Sequence, residues 1–299
     1  MSWVWGTLAA LFLGHVGGRT GLRPPWGSMP AQAYAASQTG WVVNNPDLMP
    51  EPCAAPDGAD HGRTDYWGLS FGIDDNTTSG TLSPTVYTGN QARTLLFWVY
   101  YTGESPGLVN LNYGPTSVGF GVRIWSTTSV RLYLNLSGNY VYWTLGSALS
   151  TSAWHLFVVT YDGLGNGIGN FCLSIDGSTL VQATGYAGTI PNPLPTINRI
   201  NCGGYNAFTL TQVAGYPVAW SDAQIMAYRT GGYPDIRRYA AGLDFYYRMQ
   251  PGSGQTLLEE SGRGRNVQLG TTSGEDTNDP TWTPAGAAWT RLTTGGPAL

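Results

Sequence analysis

The sequence predicts an all-β protein, an antiparallel β-sandwich that carries one short helix. Three observations support this fold class. The 299-residue chain contains 42 Gly and 19 Pro, and only 11% of its residues are charged, which is typical of turn-rich β structure. Apolar and aromatic residues alternate with polar ones in short runs, as they do in half-buried strands. The sequence carries one clear signal for the start of a helix.

The strands are predicted, in order along the chain, from runs rich in β-branched and aromatic residues. Clusters of Gly, Asn, Asp and Ser between the runs favour turns. The predicted strands are 94–101, 118–125, 129–136, 140–146, 153–161, 210–220 and 243–250. The one predicted helix begins after Ser221, because the Ser221 and Gln224 side chains can each bind the other residue's backbone amide.

Residues 1–62 are predicted to form a long extended arm without a core of its own. Most of this segment contains many Pro, Gly and Asp, and such a segment finds order on another surface. Its first residues are apolar but too few for a membrane span, which needs about 20. They are also poorly built as a signal peptide, because no Lys or Arg precedes them. We predict that a neighbouring subunit covers Trp3, Trp5, Leu8, Leu11, Phe12 and Leu13, and the alternative is that they pack under the chain's own domain.

The second half of the chain carries a series of strand and turn motifs. They are Trp154 with the turn 161–163, the turn 176–177, the strand pair within 201–220, the helix that follows Ser221, and the closing turn 260–266. The series resembles the laminin-G-like, concanavalin A-like jelly-roll family in its bacterial or phage form. This resemblance implies a jelly roll over residues 63–285, which leaves 286–299 as a C-terminal tail.

The loop 163–170 is rich in Gly and Asn, and we predict that it turns the chain between two strands. The Asp176–Gly177 pair suits a type I′ hairpin, which needs positive φ at both positions. Oxygen-bearing side chains also suit Ca²⁺, although Asn and Asp are equally typical of turns. We predict no metal or other cofactor, with Ca²⁺ left open at two places. These places are Asp162, Asn166 and Asn170, and Asp74, Asp75 and Asn76.

The acidic residues and histidines predict no active site. Glycoside hydrolases of this shape need two carboxylates that flank the scissile bond, and the E-x-D-x-x-E run that supplies them is missing. The adjacent Glu259 and Glu260 would point to opposite faces of a strand. His15, His61 and His155 lack the spacing of metal ligands, and His155 is expected to be a packed histidine with satisfied nitrogens. We therefore predict a protein that is not an enzyme.

Charge and cysteine content exclude further classes. The net charge is −4, so nucleic acid is not an expected partner, and all 14 basic residues are Arg, which excludes lysine chemistry. Cys53, Cys172 and Cys202 are too few for a zinc cluster or a disulfide framework. A bridge between Cys172 and Cys202 stays open at this stage.

Residues 130–143 predict a hairpin with one core face and one exposed aromatic face. The predicted core residues are Val130, Leu132, Leu134, Val141 and Trp143. The residues of the opposite face, which we predict to bind a ligand or partner, are Arg131, Tyr133, Asn135, Tyr140 and Tyr142. The alternative is that these side chains only form stabilising cross-strand pairs.

Two functions fit these features. The first is a structural or adhesion component of an extracellular assembly, such as a decorated virion surface or a cell-surface layer. There the arm would bind protein subunits of a homo-oligomer, and the exposed face would bind glycans. The alternative is a secreted carbohydrate-binding module whose arm contains a signal peptide that is cleaved within residues 1–35. Either function places the protein outside the cell or on a virion surface.

Overall fold

The strands, numbered β1 to β17 in chain order, form three antiparallel sheets. The computed structural model describes residues 67–72, 75, 77–78, 87–103, 108–112, 118–135, 138–197, 199–203, 208–230, 236, 242–249, 254–270 and 279–284. The predicted arm and C-terminal tail lie outside these residues. Between them the described strands run from Trp67 to Pro284.

An eight-stranded and a six-stranded sheet make up the sandwich. The first contains β1 (Trp67–Phe71), β3 (Arg93–Tyr101), β8 (Ala153–Tyr161), β9 (Phe171–Ile175), β10 (Val181–Gln182), β13 (Phe208–Tyr216), β14 (Phe245–Tyr247) and β17 (Thr281–Pro284). The second contains β4 (Leu108–Asn112), β5 (Val118–Ser126), β6 (Ser129–Tyr133), β7 (Tyr140–Thr144), β11 (Gly185–Ala187) and β12 (Arg199–Gly203). A small third sheet contains β2 (Thr77–Thr78), β15 (Thr256–Leu257) and β16 (Val267–Leu269).

The strand orders place long hairpins next to one another. The eight-stranded sheet has the order β10-β9-β8-β3-β13-β1-β17, and β14 also pairs with β13. The six-stranded sheet has the order β11-β7-β6-β5-β4-β12. The predicted fold class, an antiparallel β-sandwich with one short helix, is confirmed by this arrangement.

The main hydrophobic core lies between the two large sheets. Phe97 and Phe157 stack there with ring centroids 5.4 Å apart, and Leu132 and Trp143 from the opposing sheet are buried against the same cluster. On β5, β6 and β7, side chains of alternate residues enter this core. The remaining side chains of these strands lie on the outer face of the sheet, outside the main core.

A second core covers the opposite face of the eight-stranded sheet. The helix α1 (Asp222–Thr230) lies there, and its buried Ile225 and Tyr228 belong to a cluster with Trp98 and Leu156. The reciprocal cap predicted from the sequence is confirmed. The Ser221 N–H donates to Gln224 Oε1 at 2.9 Å, and the Gln224 N–H donates to Ser221 Oγ at 3.4 Å.

The predicted strands are found with small shifts at their ends, but one predicted pairing is wrong. The strand pair expected within 201–220 consists of β12 and β13, which lie in different sheets. β12 pairs with β4, and β13 pairs with β1 and β3. The segment between them passes from one sheet to the other, and alternation of side chains alone does not distinguish this connection from a hairpin.

The turns near β9 agree with the sequence. Residues 163–170 connect the antiparallel neighbours β8 and β9, as predicted. Asp176 and Gly177 have φ angles of 53° and 72°, and the Ser178 N–H donates to the Ile175 carbonyl at 3.0 Å, as a type I′ turn requires.

Cys172 and Cys202 are free thiols on strands of different sheets. Burial raises the pKa of Cys202 to about 12, so this thiol is inert in the folded protein. Among the described residues, no helix is both long enough and apolar enough to cross a bilayer.

Candidate binding site on the outer face of the six-stranded sheet

The hairpin of β6 and β7 has the two faces that alternation predicts. Its predicted core residues are all at most 1% exposed, namely Val130, Leu132, Leu134, Val141 and Trp143. The five residues predicted for the opposite face are each partly exposed. In the register, Arg131 lies opposite Tyr142, and Tyr133 lies opposite Tyr140. The hairpin therefore brings four of the predicted site residues together on the outside of the sandwich.

Two residues of β5 extend this surface. Arg123 lies directly opposite Arg131 in the register, and Trp125 follows two positions later with 43% of its side chain exposed. We call the six residues the aromatic–arginine face. Its members are Arg123, Trp125, Arg131, Tyr133, Tyr140 and Tyr142.

Arg131 lies at the centre of this face, between rings from the strands on either side. Its Cζ atom is 3.5 Å from the centroid of the Trp125 ring and 4.5 Å from that of Tyr140. Its Nη1 atom donates to the Tyr133 hydroxyl over 3.4 Å. These contacts hold the guanidinium plane by cation–π attraction and leave most of its N–H groups to water or a ligand.

The tyrosines form a continuous row of rings across β6 and β7. The ring centroids of Tyr133 and Tyr140 are 5.2 Å apart, and those of Tyr140 and Tyr142 are 6.2 Å apart. Tyr142 then lies across Gly185 on the neighbouring strand, where an added Cβ would come within 2.4 Å of the Tyr142 hydroxyl. The missing side chain at Gly185 thus lets the row of rings reach β11.

The local charge of this sheet contrasts with that of the whole chain. The six strands contain Arg123, Arg131 and Arg199 but no Asp or Glu, although the net charge of the chain is −4. Arg123 also lies near the Trp125 ring, with its Cζ atom 5.0 Å from the centroid. No described carboxylate forms an ion pair with Arg131. The face is therefore aromatic and basic on an otherwise acidic protein.

Sequence reasoning missed Arg123 and Trp125 because it treated the hairpin of β6 and β7 alone. The signal was present, since Phe120, Val122 and Ile124 alternate with them and are buried. Asn135, the fifth predicted residue, lies at the end of the hairpin, where its Oδ1 atom accepts the Asn139 N–H at 3.2 Å. It stabilises the turn, and no contact joins it to the rings among the described residues.

His155 has partners that its sequence neighbourhood does not show. Its Nδ1 atom is 2.7 Å from Asp176 Oδ2, and its Nε2 atom is 3.1 Å from Ser150 Oγ and 3.0 Å from the Ser150 carbonyl oxygen. The three residue types are those of a hydrolytic triad. The Asp176 carboxylate only accepts hydrogen bonds, so Nδ1 carries a proton, whereas the Ser150 hydroxyl can either donate to Nε2 or accept from it. The contacts therefore fit both the charged ring and the neutral ring with its proton on Nδ1.

The surroundings of His155 shift its pKa in favour of the charged form. Burial lowers this pKa, but the hydrogen bond and charge of Asp176 and the carbonyl of Ser150 outweigh burial, so the pKa is raised above 6.5. The side chain of His155 is only 6% exposed. The expectation of a packed histidine with satisfied nitrogens is confirmed. The hydrogen bonds of His155 connect the loop that contains Ser150 with the turn after β9.

The other polar candidates have roles in turns. Asp162 Oδ1 accepts the Leu164 N–H at 2.8 Å, and Asp75 Oδ2 accepts the Gly72 N–H at 2.6 Å. Both contacts are typical of Asp in turns. Asp74 and Asn76 lie outside the described residues. Within the described part of the chain, no group of three or more His, Cys, Asp or Glu side chains is placed to hold a metal ion.

Glu259, which lies just before the closing turn predicted over 260–266, organises this turn. The Tyr246 and Ser261 N–H groups donate to Glu259 Oε1 at 3.0 and 2.6 Å, and the Arg263 N–H donates to Oε2 at 3.0 Å. Asn266 Oδ1 accepts the Glu259 N–H at 2.9 Å. Neither glutamate lies in a strand. Both carboxylate oxygens of Glu259 thus accept hydrogen bonds from the backbone of the turn and of β14.

Asp244 lies beside the closing turn and is also held by structural contacts. Its carboxylate oxygens are 3.1 Å from Arg265 Nη1 and 3.3 Å from Arg263 Nη1. Burial raises the pKa of Asp244, although both arginines oppose this shift. The two ion pairs join the turn to the segment that precedes β14.

Three solved structures resemble this chain at low sequence identity. No protein-family model matches the sequence, and no curated protein matches it. A candidate carbohydrate-binding protein from Bacteroides ovatus is similar with a TM-score of 0.47 and 12% identity, over 73% of this chain and 61% of that one. The chain therefore spans less than two thirds of that protein's length.

Two further solved structures have lower scores. A heptameric SAP-like pentraxin from Limulus polyphemus has a TM-score of 0.36 and 12% identity, over 52% of this chain and 82% of that one. Domains LG4–5 of the mouse laminin alpha1 chain have a TM-score of 0.36 and 8% identity, over 52% and 43%. All three TM-scores lie below 0.5, so no conclusion about ligands or activity follows from them.

Proposed function

We propose that this protein is a non-catalytic β-sandwich that binds glycans through the aromatic–arginine face and acts as a structural or adhesion component of an extracellular assembly. The observation that carries the proposal is the row of rings around Arg131 on a sheet face that the described residues leave partly exposed. The eight-stranded sheet lacks such a face, because the second core covers it.

The chemistry of the face suits sugars. A sugar ring has apolar C–H faces and a rim of hydroxyl groups, so it can stack on an aromatic ring while its rim forms hydrogen bonds. Trp125 and the three tyrosines supply the rings, and the tyrosine hydroxyls and Arg131 supply polar groups. The flat surface of a sheet also allows a chain of sugars to lie across several rings.

The assembly role depends on the arm, which lies outside the described residues. The apolar residues between Trp3 and Leu13 need a protein surface to cover them, and a neighbouring subunit would supply it. The alternative is a secreted carbohydrate-binding module, in which residues 1–35 are removed. Sequencing of the mature N-terminus separates the two, because an intact start favours the assembly and cleavage near Ala35 favours secretion.

Glycan binding is tested with a variant in which Tyr133, Tyr140 and Tyr142 are all replaced by Ala. Ligands are first selected with a glycan array, and affinities are then measured by calorimetry. We expect affinity to fall about tenfold or more, since each ring contributes about 0.5–1.5 kcal/mol. Circular dichroism should show an unchanged sandwich, because the core face of the hairpin is untouched.

Tyr186→Ala is the matched control. Tyr186 is 56% exposed and lies in the same sheet, but its register partner is the core-facing Val141, so it is not on the aromatic–arginine face. Its loss should leave glycan affinity unchanged. If the triple variant binds as well as the unaltered protein, or if the unaltered protein binds no glycan, the proposal is wrong.

A further inference from the structure

We propose that the ligand of the aromatic–arginine face is an acidic glycan whose carboxylate or sulfate group is bound by Arg131, with Arg123 beside it. This inference rests on the proposed glycan binding and adds the charge class of the ligand. It is derived from the placement of two arginines, which glycan binding alone does not require.

The first argument is the pairing of like charges. Arg123 and Arg131 are direct register partners on β5 and β6. Two cationic groups this close together attract the same anion, and none of the six strands contains an Asp or Glu that would repel it. An acidic group bound at this point would interact with both side chains.

The second argument is the orientation of the Arg131 guanidinium. Trp125 and Tyr140 approach it from the two flanking strands, and its Cζ atom lies 3.5 and 4.5 Å from their ring centroids. Rings over a planar guanidinium leave its edges available, where the N–H groups point. Two parallel N–H groups at such an edge match the two oxygens of a carboxylate or sulfate. Stacking also restricts the side chain before binding, which lowers the entropic cost of each hydrogen bond.

The third argument selects a glycan over other anions. The rings beside Arg131 form a row that continues through Tyr133 and Tyr142 to Gly185, so the anion site lies within a stacking surface for sugar rings. A nucleic acid would need several cationic contacts along its phosphate chain. The sheet offers three arginines, which are too few to follow a phosphate on every nucleotide but are enough to bind one acidic group beside a stacked sugar ring.

The test uses three derivatives of one polysaccharide, which are dextran, carboxymethyl-dextran and dextran sulfate. We expect one or both charged derivatives to bind about tenfold or more tightly than dextran, and the preferred derivative identifies carboxylate or sulfate as the group bound. Arg131→Gln should weaken that binding about tenfold or more, because it removes a charge-assisted contact. Arg131→Lys should restore it only in part, since an ammonium group is not bidentate.

Arg229→Gln is the control for net charge, since Arg229 lies on α1 beside the turn at Gly177, where an added Cβ would meet its side chain. The inference fails if this variant loses as much affinity as Arg131→Gln. It also fails if dextran binds as tightly as its charged forms, or if single-stranded DNA binds more tightly than either. None of these outcomes decides whether the protein binds glycans, because the glycan array and the triple tyrosine variant test that proposal separately.

Discussion

Asp176→Asn should make the stability of the sandwich less dependent on the charge of His155. The Asp176 carboxylate is 2.7 Å from His155 Nδ1, and its second oxygen accepts the Leu156 N–H at 2.9 Å. An Asn side chain keeps an oxygen for Leu156 and tolerates the positive φ of position 176. The substitution therefore keeps the Leu156 contact and removes both the charge and the acceptor that face His155, because the Asn Nδ2 atom donates.

The expected loss of stability is about 1–2 kcal/mol at low pH. A hydrogen bond to a charged group contributes about 1.5–3 kcal/mol, and an exposed ion pair contributes about 0–1 kcal/mol. His155 is 6% exposed, but the Asp176 side chain is 40% exposed, so solvent screens the pair and the value lies between these limits. For a domain of about 200 residues this corresponds to a decrease in Tm of about 2–8 °C.

The effect should depend on pH in one direction. The pKa of His155 is raised in the folded protein, so the ion pair stabilises the fold fully below about pH 6.5 and the stabilisation is lost as pH rises through the folded pKa. Urea unfolding at about pH 5.5 and about pH 9 measures this difference. The free energies of the two proteins should differ most at the lower pH.

Asp162→Asn is the control, because it removes the same charge from another turn where the side chain accepts a backbone N–H. It should change stability equally at both pH values. If Asp176→Asn shows the same pH dependence of unfolding as the unaltered protein, then Asp176 does not raise the pKa of His155 and this explanation is wrong.

Two further predictions concern the closing turn and the arm. Glu259→Ala should lower the free energy of unfolding by about 3 kcal/mol or more in urea, because three backbone donors lose their acceptor, whereas Glu259→Gln keeps one oxygen and should lose less. Equal losses would contradict this role. Deletion of residues 1–35 should leave a folded sandwich that no longer assembles. Chromatography with light scattering that shows the full-length oligomer would refute the assembly role.

The faces of the hairpin could be predicted from the sequence because alternation is a local signal. Val130 and Leu132 are buried, while Arg131 and Tyr133 stay partly exposed, as the period of two requires. Arg123 could have been found in the same way, since the short turn at Thr127 and Thr128 sets its register with β6. The contact between Arg131 and Trp125 could not be predicted from the sequence, because it depends on side-chain conformation.

The partners of His155 illustrate what the sequence could not show. Ser150 and Asp176 precede and follow it by 5 and 21 positions, and only the pairing of β8 with β9 and the turn at Asp176 bring them together. The same limit applies to β12 and β13, which are neighbours in sequence but lie in different sheets. A pattern of alternating residues records which face of a strand is buried, but not which strand lies beside it.

The two sheets differ in a way that determines where a sheet face can bind a ligand. β3 and β8 are buried at nearly every position, because one face packs in the main core and the other lies under the second core with α1. β6 and β7 alternate between buried and partly exposed residues. Continuous apolar runs therefore mark a sheet that is covered on both sides, and alternating runs mark one with an accessible face. Within the described residues, the outer face of the six-stranded sheet is consequently the place where Arg131 and its rings can meet an external partner.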